Sequence, residues 1–176
     1  MKIAVITGAS SGLGAEFTRA VAEQGGLDEI WIVARRKERL EALAKECSPA
    51  NVRPIPMDLT DRKSFAAISD MLREEHADIK ILINNAGCCI CGSFEDMPEK
   101  SIEMMIDLDI TAMTLINKVC IPLMIFYFSA TGNSKYVASA FLQMENSWSP
   151  SQLPSIKMKL GMSFMTELQE RQNIFM

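Results

Sequence analysis

Lys2-Ile-Ala-Val-Ile-Thr7-Gly8-Ala-Ser-Ser11-Gly12-Leu-Gly14 stands at the start of the chain and reads as strand, turn and helix in succession. The uninterrupted apolar run Ile3 to Ile6 suits a strand of a parallel sheet covered on both faces. The three glycines after it allow backbone N–H groups to close on a pyrophosphate at the N-terminus of the next helix. A glycine triplet alone also suits a turn made for steric reasons, so the spacing Gly8-x3-Gly12-x-Gly14 needs support from elsewhere in the chain.

Downstream, strand and helix patterns keep alternating, which predicts an α/β fold: a doubly wound parallel sheet of about five strands with helices on both faces. Strands are predicted at Lys2 to Thr7, Glu29 to Arg35, Val52 to Asp58 and Ile79 to Asn84, with a fifth at Ile125 to Phe128. Helices are expected from Gly12 to Gln24, with Phe17, Ala20 and Val21 inward, from Arg36 to Cys47, and from Asp61 with Phe65, Ile68 and Leu72 inward. Pro98 opens a long helix carrying Ile102, Met105, Ile106, Ile110, Met113 and Ile116 along one side and ending by Pro122. A short helix from Lys135 to about Met144 completes the regular part, and residues 146–176 read as an irregular or weakly helical tail.

With 176 residues, the chain is long enough for one domain burying roughly 70% of its unfolded surface. A net charge of -4 and the absence of a Lys/Arg-rich face argue against nucleic acid as a partner. No stretch has the length and apolarity of a membrane span, and the start lacks the zones of a signal peptide, so a cytoplasmic protein without a membrane partner is expected. Cys47, Cys88, Cys89, Cys91 and Cys120 are odd in number and three are crowded, which points to reduced thiols and not to a disulfide framework. Cys88, Cys89 and Cys91 would need a fourth ligand to hold a metal, and the only histidine, His76, falls near the end of the preceding predicted helix, so no metal site is expected.

The end of the second strand carries Arg35-Arg36, where an NAD site would place Asp or Glu for the ribose 2′-hydroxyl. Cations there favour a 2′-phosphate, hence NADP. With Thr7-Gly8-Ala-Ser-Ser-Gly12-Leu-Gly14, Ala34-Arg35-Arg36, Asp58-Leu59, Asn84-Asn85-Ala86-Gly87 and Ile121-Pro122-Leu123-Met124 in order, residues 1 to about 123 resemble the N-terminal half of the short-chain dehydrogenase/reductase family. The resemblance implies an oxidoreductase acting on a small carbonyl or alcohol with NADP. It implies that Gly8, Ser10, Ser11, Gly12, Leu13 and Gly14 cradle the phosphates and that Arg35 and Arg36 meet the 2′-phosphate. Asp58 and Leu59 would lie against the adenine, and Asn85, Ala86 and Gly87 would support the adenine ribose and the fourth-strand turn. The long helix, 99–121, would pair with its counterpart in a homodimer.

Family members use a Ser that polarises the carbonyl, a Tyr that moves the proton, a Lys four residues later that lowers the Tyr pKa, and an Asn in the long helix that holds a relay water. Here Asp109 stands at the Asn position, and an anion can accept from water but cannot donate as an amide does. Neither Tyr127 nor Tyr136 has Lys four residues on, so Ser129 and Tyr136 are the nearest candidates for the catalytic pair, with turnover expected to be impaired. From Met124 to Ala138 the sequence resembles the first strand, phosphate loop and helix of flavodoxin-like proteins, with Ser129, Thr131, Gly132, Asn133 and Ser134 fitting an FMN phosphate. These readings divide the chain into residues 1–145, an NADP-binding domain with a junction near Leu123/Met124, and the tail 146–176. They leave a truncated, impaired reductase, a non-enzymatic cofactor-binding remnant, and a small FMN electron carrier as competing functions.

Overall fold

The computed structural model describes residues 1–125 and 136–139, with side chains through Met124. The chain divides into two units, Met1–Phe141 and Leu142–Met176, and all the described elements belong to the first. In chain order they are β1 (Lys2–Thr7), α1 (Gly12–Gln24), β2 (Glu29–Ala34), α2 (Lys37–Glu46), β3 (Val52–Pro56), α3 (Lys63–Glu74) and β4 (Asp78–Asn84). A 3₁₀ turn at Phe94–Asp96 then leads into α4 (Glu99–Met105), a π turn over Ile106–Ala112, α5 (Met113–Ile125) and β5 (Tyr136–Ser139).

The five strands are parallel and ordered β3-β2-β1-β4-β5. The chain therefore builds outward from β1 in one direction and then crosses to its other side, which puts the switch point between β1 and β4. Alternate residues of the strands feed two cores. Ile3, Val5, Trp31, Val33, Ile55, Ile79 and Leu82 face Phe65, Ile68 and Leu72 of α3 and Ile116 and Cys120 of α5. Ala4, Ile6, Ile30, Ile32 and Ile83 face Val21 of α1 and Leu40 and Leu43 of α2. Ala20, expected inward, lies exposed.

Three expectations for the second half are corrected. The long helix passes Pro122 and runs to Ile125. Proline removes the bond to the Lys118 carbonyl, but Pro122 and Lys118 both lie on the exposed side, where that carbonyl is open to solvent and the loss is tolerated. Ile125 is therefore the last helical residue, not the first of a strand, and residues 126–128 lie outside the described residues. The fifth strand is Tyr136–Ser139, in place of the start of the predicted helix. Finally, the inward stripe of the long helix is Ala112, Ile116, Cys120 and Met124, while Met104, Ile106 (48% exposed) and Ile110 (55%) face outward. A π turn adds a residue to the helical repeat and so rotates the later turns by about a residue's worth of arc.

At the C-terminus of α3 the Ala77 N–H reaches the Leu72 carbonyl (2.9 Å) and the His76 N–H the Arg73 carbonyl (3.1 Å), while His76 takes φ +46. This paired closure wants glycine at the left-handed position. His76→Gly is expected to stabilise the fold by about 1 kcal/mol, read as a higher urea midpoint at unchanged m-value.

Candidate functional site

The site grows from the carboxyl ends of β1, β2 and β4. As β1 ends, the buried Thr7 hydroxyl accepts the Asn85 and Ala86 N–H groups, both at 3.0 Å, and lies 3.4 Å from the Ile83 carbonyl to which it donates. From the β4 side the Asn85 side-chain amide donates to the Thr7 and Gly8 carbonyls, both at 3.3 Å, and the Gly8 N–H donates to the Val33 carbonyl at 2.8 Å. The glycine turn is thereby fastened to both neighbouring strands before any ligand is considered. Thr7 escaped sequence reasoning, although a hydroxyl residue directly before the first glycine is a signal that could have found it. Thr7→Val strands two N–H groups and should cost about 2 kcal/mol, whereas Thr7→Ser, which keeps the oxygen, should cost much less; urea unfolding of the three chains separates them.

Gly8, at φ +69, packs so closely on the β4 turn that a Cβ would stand 2.8 Å from the Ala86 Cα. Gly12, at φ +58, faces open space, and a Cβ added there would have no described atom within 4 Å. Ser10, Ser11 and Leu13 line the same turn, with Leu13 half-buried and Gly14 buried in the first turn of α1. Arg36, directly after β2, closes over it: its guanidinium donates to the Ser10 hydroxyl (3.3 and 2.9 Å) and the Ser11 hydroxyl (2.9 Å). Arg35 is exposed, and its charge acts on the Cys88 thiol beyond β4. The glycine turn, both arginines and the β4 turn thus meet at one edge of the sheet.

A cavity of about 310 Å³ flanks this turn on the α1/α2 side, with Ser10, Ser11, Glu16, Arg19, Arg39 and Glu46 among its walls. Arg19 forks onto Glu46 (3.1 and 2.9 Å) and reaches Glu16 (2.8 Å), tying the two helices together.

Asp58 is exposed, and one of its carboxylate oxygens takes the Thr60 N–H (3.0 Å) and hydroxyl (2.9 Å) in a local turn. The Leu59 side chain is buried in the α3/α5 core, so only its backbone is available to the adenine position expected for it. Asp109 lies within the π turn, and its carboxylate accepts the Cys88 N–H at 2.8 Å beside Gly87. Helices widen in this way at functional positions, and here the widening sets a carboxylate against the β4 turn.

Of the two sequence candidates for the proton-moving pair, Tyr136 alone lies among the described residues. Ser129 lies outside the described residues. Tyr136 is opposite Ile81, three residues short of the Asn84 end, about 10 Å back from the edge where Asp109 and Asn85 stand. Ser139, which sequence reasoning passed over, is the strand residue opposite Asn84 at that edge.

Among the described residues no group of three or more His, Cys, Asp or Glu could hold a metal ion, and no helix is long and apolar enough to cross a membrane.

A parallel sheet with a glycine turn, a cationic strand end and an asparagine-locked turn meeting at its switch point defines a Rossmann-like nucleotide-binding architecture. The chain belongs to the short-chain dehydrogenase family, whose model matches residues 2–146. That match runs on through the stretch 124–138. Mouse epidermal retinol dehydrogenase 2 is 32% identical over 125 residues, 70% of this chain and 40% of that protein. An uncharacterized oxidoreductase of Staphylococcus aureus is 27% identical over 124 residues, again 70% of this chain and 53% of the other. The chain thus spans about half the length of the curated relatives it matches. Among solved structures, a short-chain dehydrogenase from Sphingobium yanoikuyae in complex with NADPH shares 34% identity at a TM-score of 0.66, covering 79% of this chain and 53% of that one. A bulky-bulky ketone specific alcohol dehydrogenase from Comamonas testosteroni shares 36% at a TM-score of 0.61, covering 68% and 48%.

Proposed function

We propose that residues 1–145 form an NADP(H)-binding domain of an oxidoreductase that acts on a small carbonyl or alcohol, and that these 176 residues turn substrate over slowly. The observation that carries the cofactor reading is the Arg36 guanidinium held on the Ser10 and Ser11 hydroxyls. It stations a cation at the mouth of a turn whose Gly12 leaves room for phosphate. The NADPH in the Sphingobium relative supports the same choice. The residues fit the nucleotide: Gly8, Ser10, Ser11, Gly12, Leu13 and Gly14 take the phosphates, Arg36 with Arg35 the 2′-phosphate, Asp58 and the Leu59 backbone the adenine, and Asn85, Ala86 and Gly87 the ribose edge.

Bound NADPH supplies the hydride. The protein's part is to hold the carbonyl and move the proton, and there the sequence is poorly equipped, because neither tyrosine has a lysine four residues on. A phenol of unperturbed pKa near 10 is a poor acid–base group at neutral pH. Ser139 joins Ser129 as a candidate serine, since its register pairs it with Asn84 at the end of β4, and Asp109 positions the β4 turn through the Cys88 N–H. A homodimer through helix 99–121 would cover the exposed Ile106 and Ile110. The remnant reading differs only in having no turnover at all. The FMN carrier draws on residues 129–134, outside the described residues, and the family match does not favour it.

Thermal unfolding with NADPH tests the proposal. Stabilisation of about 2.7 kcal/mol is expected at a hundred times Kd, with NADH giving far less, and with NADPH oxidation slow against a panel of ketones and aldehydes. A folded sample whose midpoint ignores millimolar NADPH would reject the binding site. Turnover in the ordinary enzymatic range, about 1–1,000 per second, would reject the impairment alone.

A further inference from the structure

The three cysteines after the β4 turn are used neither by the core nor by the proposed nucleotide site, yet they differ sharply from one another. Cys88 is half-buried, its N–H fixed on Asp109, and burial with the Asp109 charge pushes its thiol pKa up. Cys89 and Cys91 are both exposed, and their sulfurs stand 3.8 Å apart in S–H···S contact. Cys47 and Cys120 are buried, and burial drives the Cys120 thiol up to about 12. A dissolved reagent must touch the sulfur it reacts with, so the two buried groups are shielded and the exposed, mutually contacting pair is the accessible one.

We propose that Cys89 and Cys91 are a redox-modification site, a dithiol that closes to an intramolecular disulfide when it meets a low-molecular-weight disulfide such as oxidised glutathione. One thiolate of the pair attacks a sulfur of the glutathione disulfide, and one glutathione leaves as thiolate and takes up the proton lost from the protein. The second thiolate then attacks the protein sulfur of the mixed disulfide, a protein S–S bond forms, and the second glutathione leaves. Two protein thiols are oxidised and one glutathione disulfide is reduced to two thiols, so the exchange balances without any other reagent.

Reach permits the closure. Two residues apart on a trans chain, Cα atoms lie at most about 7.6 Å from each other, and a modest bend at Ile90 brings them within the roughly 4.4–6.8 Å a disulfide accepts. The sulfurs already face each other. A loop closed around one residue constrains the unfolded chain very little, so the bond adds little stability, and tight, exposed disulfides of this kind are readily reduced. The modification is reversible by the same couple. The hydrogen bond with Cys91 raises the Cys89 pKa, and since the thiolate is the attacking species, closure quickens as pH rises.

The test uses the full chain treated with oxidised glutathione, then with an alkylating reagent under native conditions, followed by unfolding, trypsin digestion and mass analysis of the peptide 81–100, which carries all three cysteines. The expected peptide has lost two hydrogens, carries no glutathione, and bears its single alkyl group, if any, on Cys88. Cys89→Ser and Cys91→Ser should each abolish the hydrogen loss and instead retain one glutathione on the remaining thiol of the pair. Because both positions are exposed, the variants should fold as the parent does, which circular dichroism checks. Glutathione retained on the parent, a bond from Cys88 to either partner, or an intermolecular dimer would each overturn the proposal. None of these outcomes depends on nucleotide binding.

Discussion

Gly12→Ala is expected to leave the fold standing and to lower NADPH affinity at least tenfold, while Gly14→Ala, two residues on, is expected to undermine the fold itself. The contrast comes from the surroundings that each new methyl group would meet. At Gly14 a Cβ would run into the Gly8 carbonyl and stand 2.6 Å from the Asn85 side-chain nitrogen, and both belong to the clasp that joins β1 to β4. Backbone cannot step aside as a flexible side chain can, so Gly14→Ala should cost about 3 kcal/mol or more, at the upper end of overpacking penalties. At Gly12 nothing described lies within 4 Å, and the only penalty in the unliganded chain is the left-handed backbone at φ +58, about 1 kcal/mol. In the proposed site the methyl would instead fill the space that a phosphate would occupy. Urea unfolding and nucleotide titration on the same samples separate the two effects. A Gly12→Ala chain that bound NADPH as tightly as the parent would move the phosphate site away from this turn, whatever became of Gly14.

The same edge shows why parts of this molecule are legible in sequence and parts are not. The glycine turn, the paired asparagines and the arginines could be read directly, because each is a residue type doing what few others can: adopting positive φ, donating from an amide, or carrying a permanent charge. The bounds of α1 agree with the sequence reading, since the glycine turn opens the helix and Gly25-Gly26 follow it. The long helix was harder. Its apolar residues fit a continuous 3.6-residue period, and nothing in composition announces the π turn over Ile106–Ala112 that turns Ile106 and Ile110 outward. Leu123 to Ile125 then illustrates the ambiguity of short apolar runs, which suit a buried helix end as well as a strand. The likeness of Ser129-Ala-Thr-Gly-Asn-Ser134 to a phosphate loop drew the fifth strand to the residues before it, whereas the described strand is Tyr136–Ser139, four residues that pair with β4 in register. Register, which is a property of two strands together, sets Ser139 opposite Asn84 and Tyr136 three residues back, opposite Ile81.

Arg36 carries the second large expectation. Arg36→Ala should weaken NADPH binding by about a hundredfold while changing NADH affinity little, because charge-assisted hydrogen bonds to a phosphate are worth about 1.5–3 kcal/mol and NADH has no phosphate at that position. The guanidinium donates to the Ser10 and Ser11 hydroxyls, 2.9 Å from each. Meeting a phosphate therefore means exchanging two neutral acceptors for an anionic one, which favours the ligand. The residue is exposed, so its loss should move stability by no more than about 0.5 kcal/mol, and a binding defect cannot be mistaken for unfolding. Arg36→Asp goes further. It should reverse the preference towards NADH, since an acid at this strand end takes the ribose 2′-hydroxyl and repels the 2′-phosphate. Arg35→Ala separates the two cations: a smaller loss than for Arg36→Ala assigns the phosphate to Arg36. Equal losses of NADPH and NADH affinity in Arg36→Ala would mean that this arginine serves the turn and not the phosphate, and the choice of NADP over NAD would then have to lie with Arg35 or Arg39.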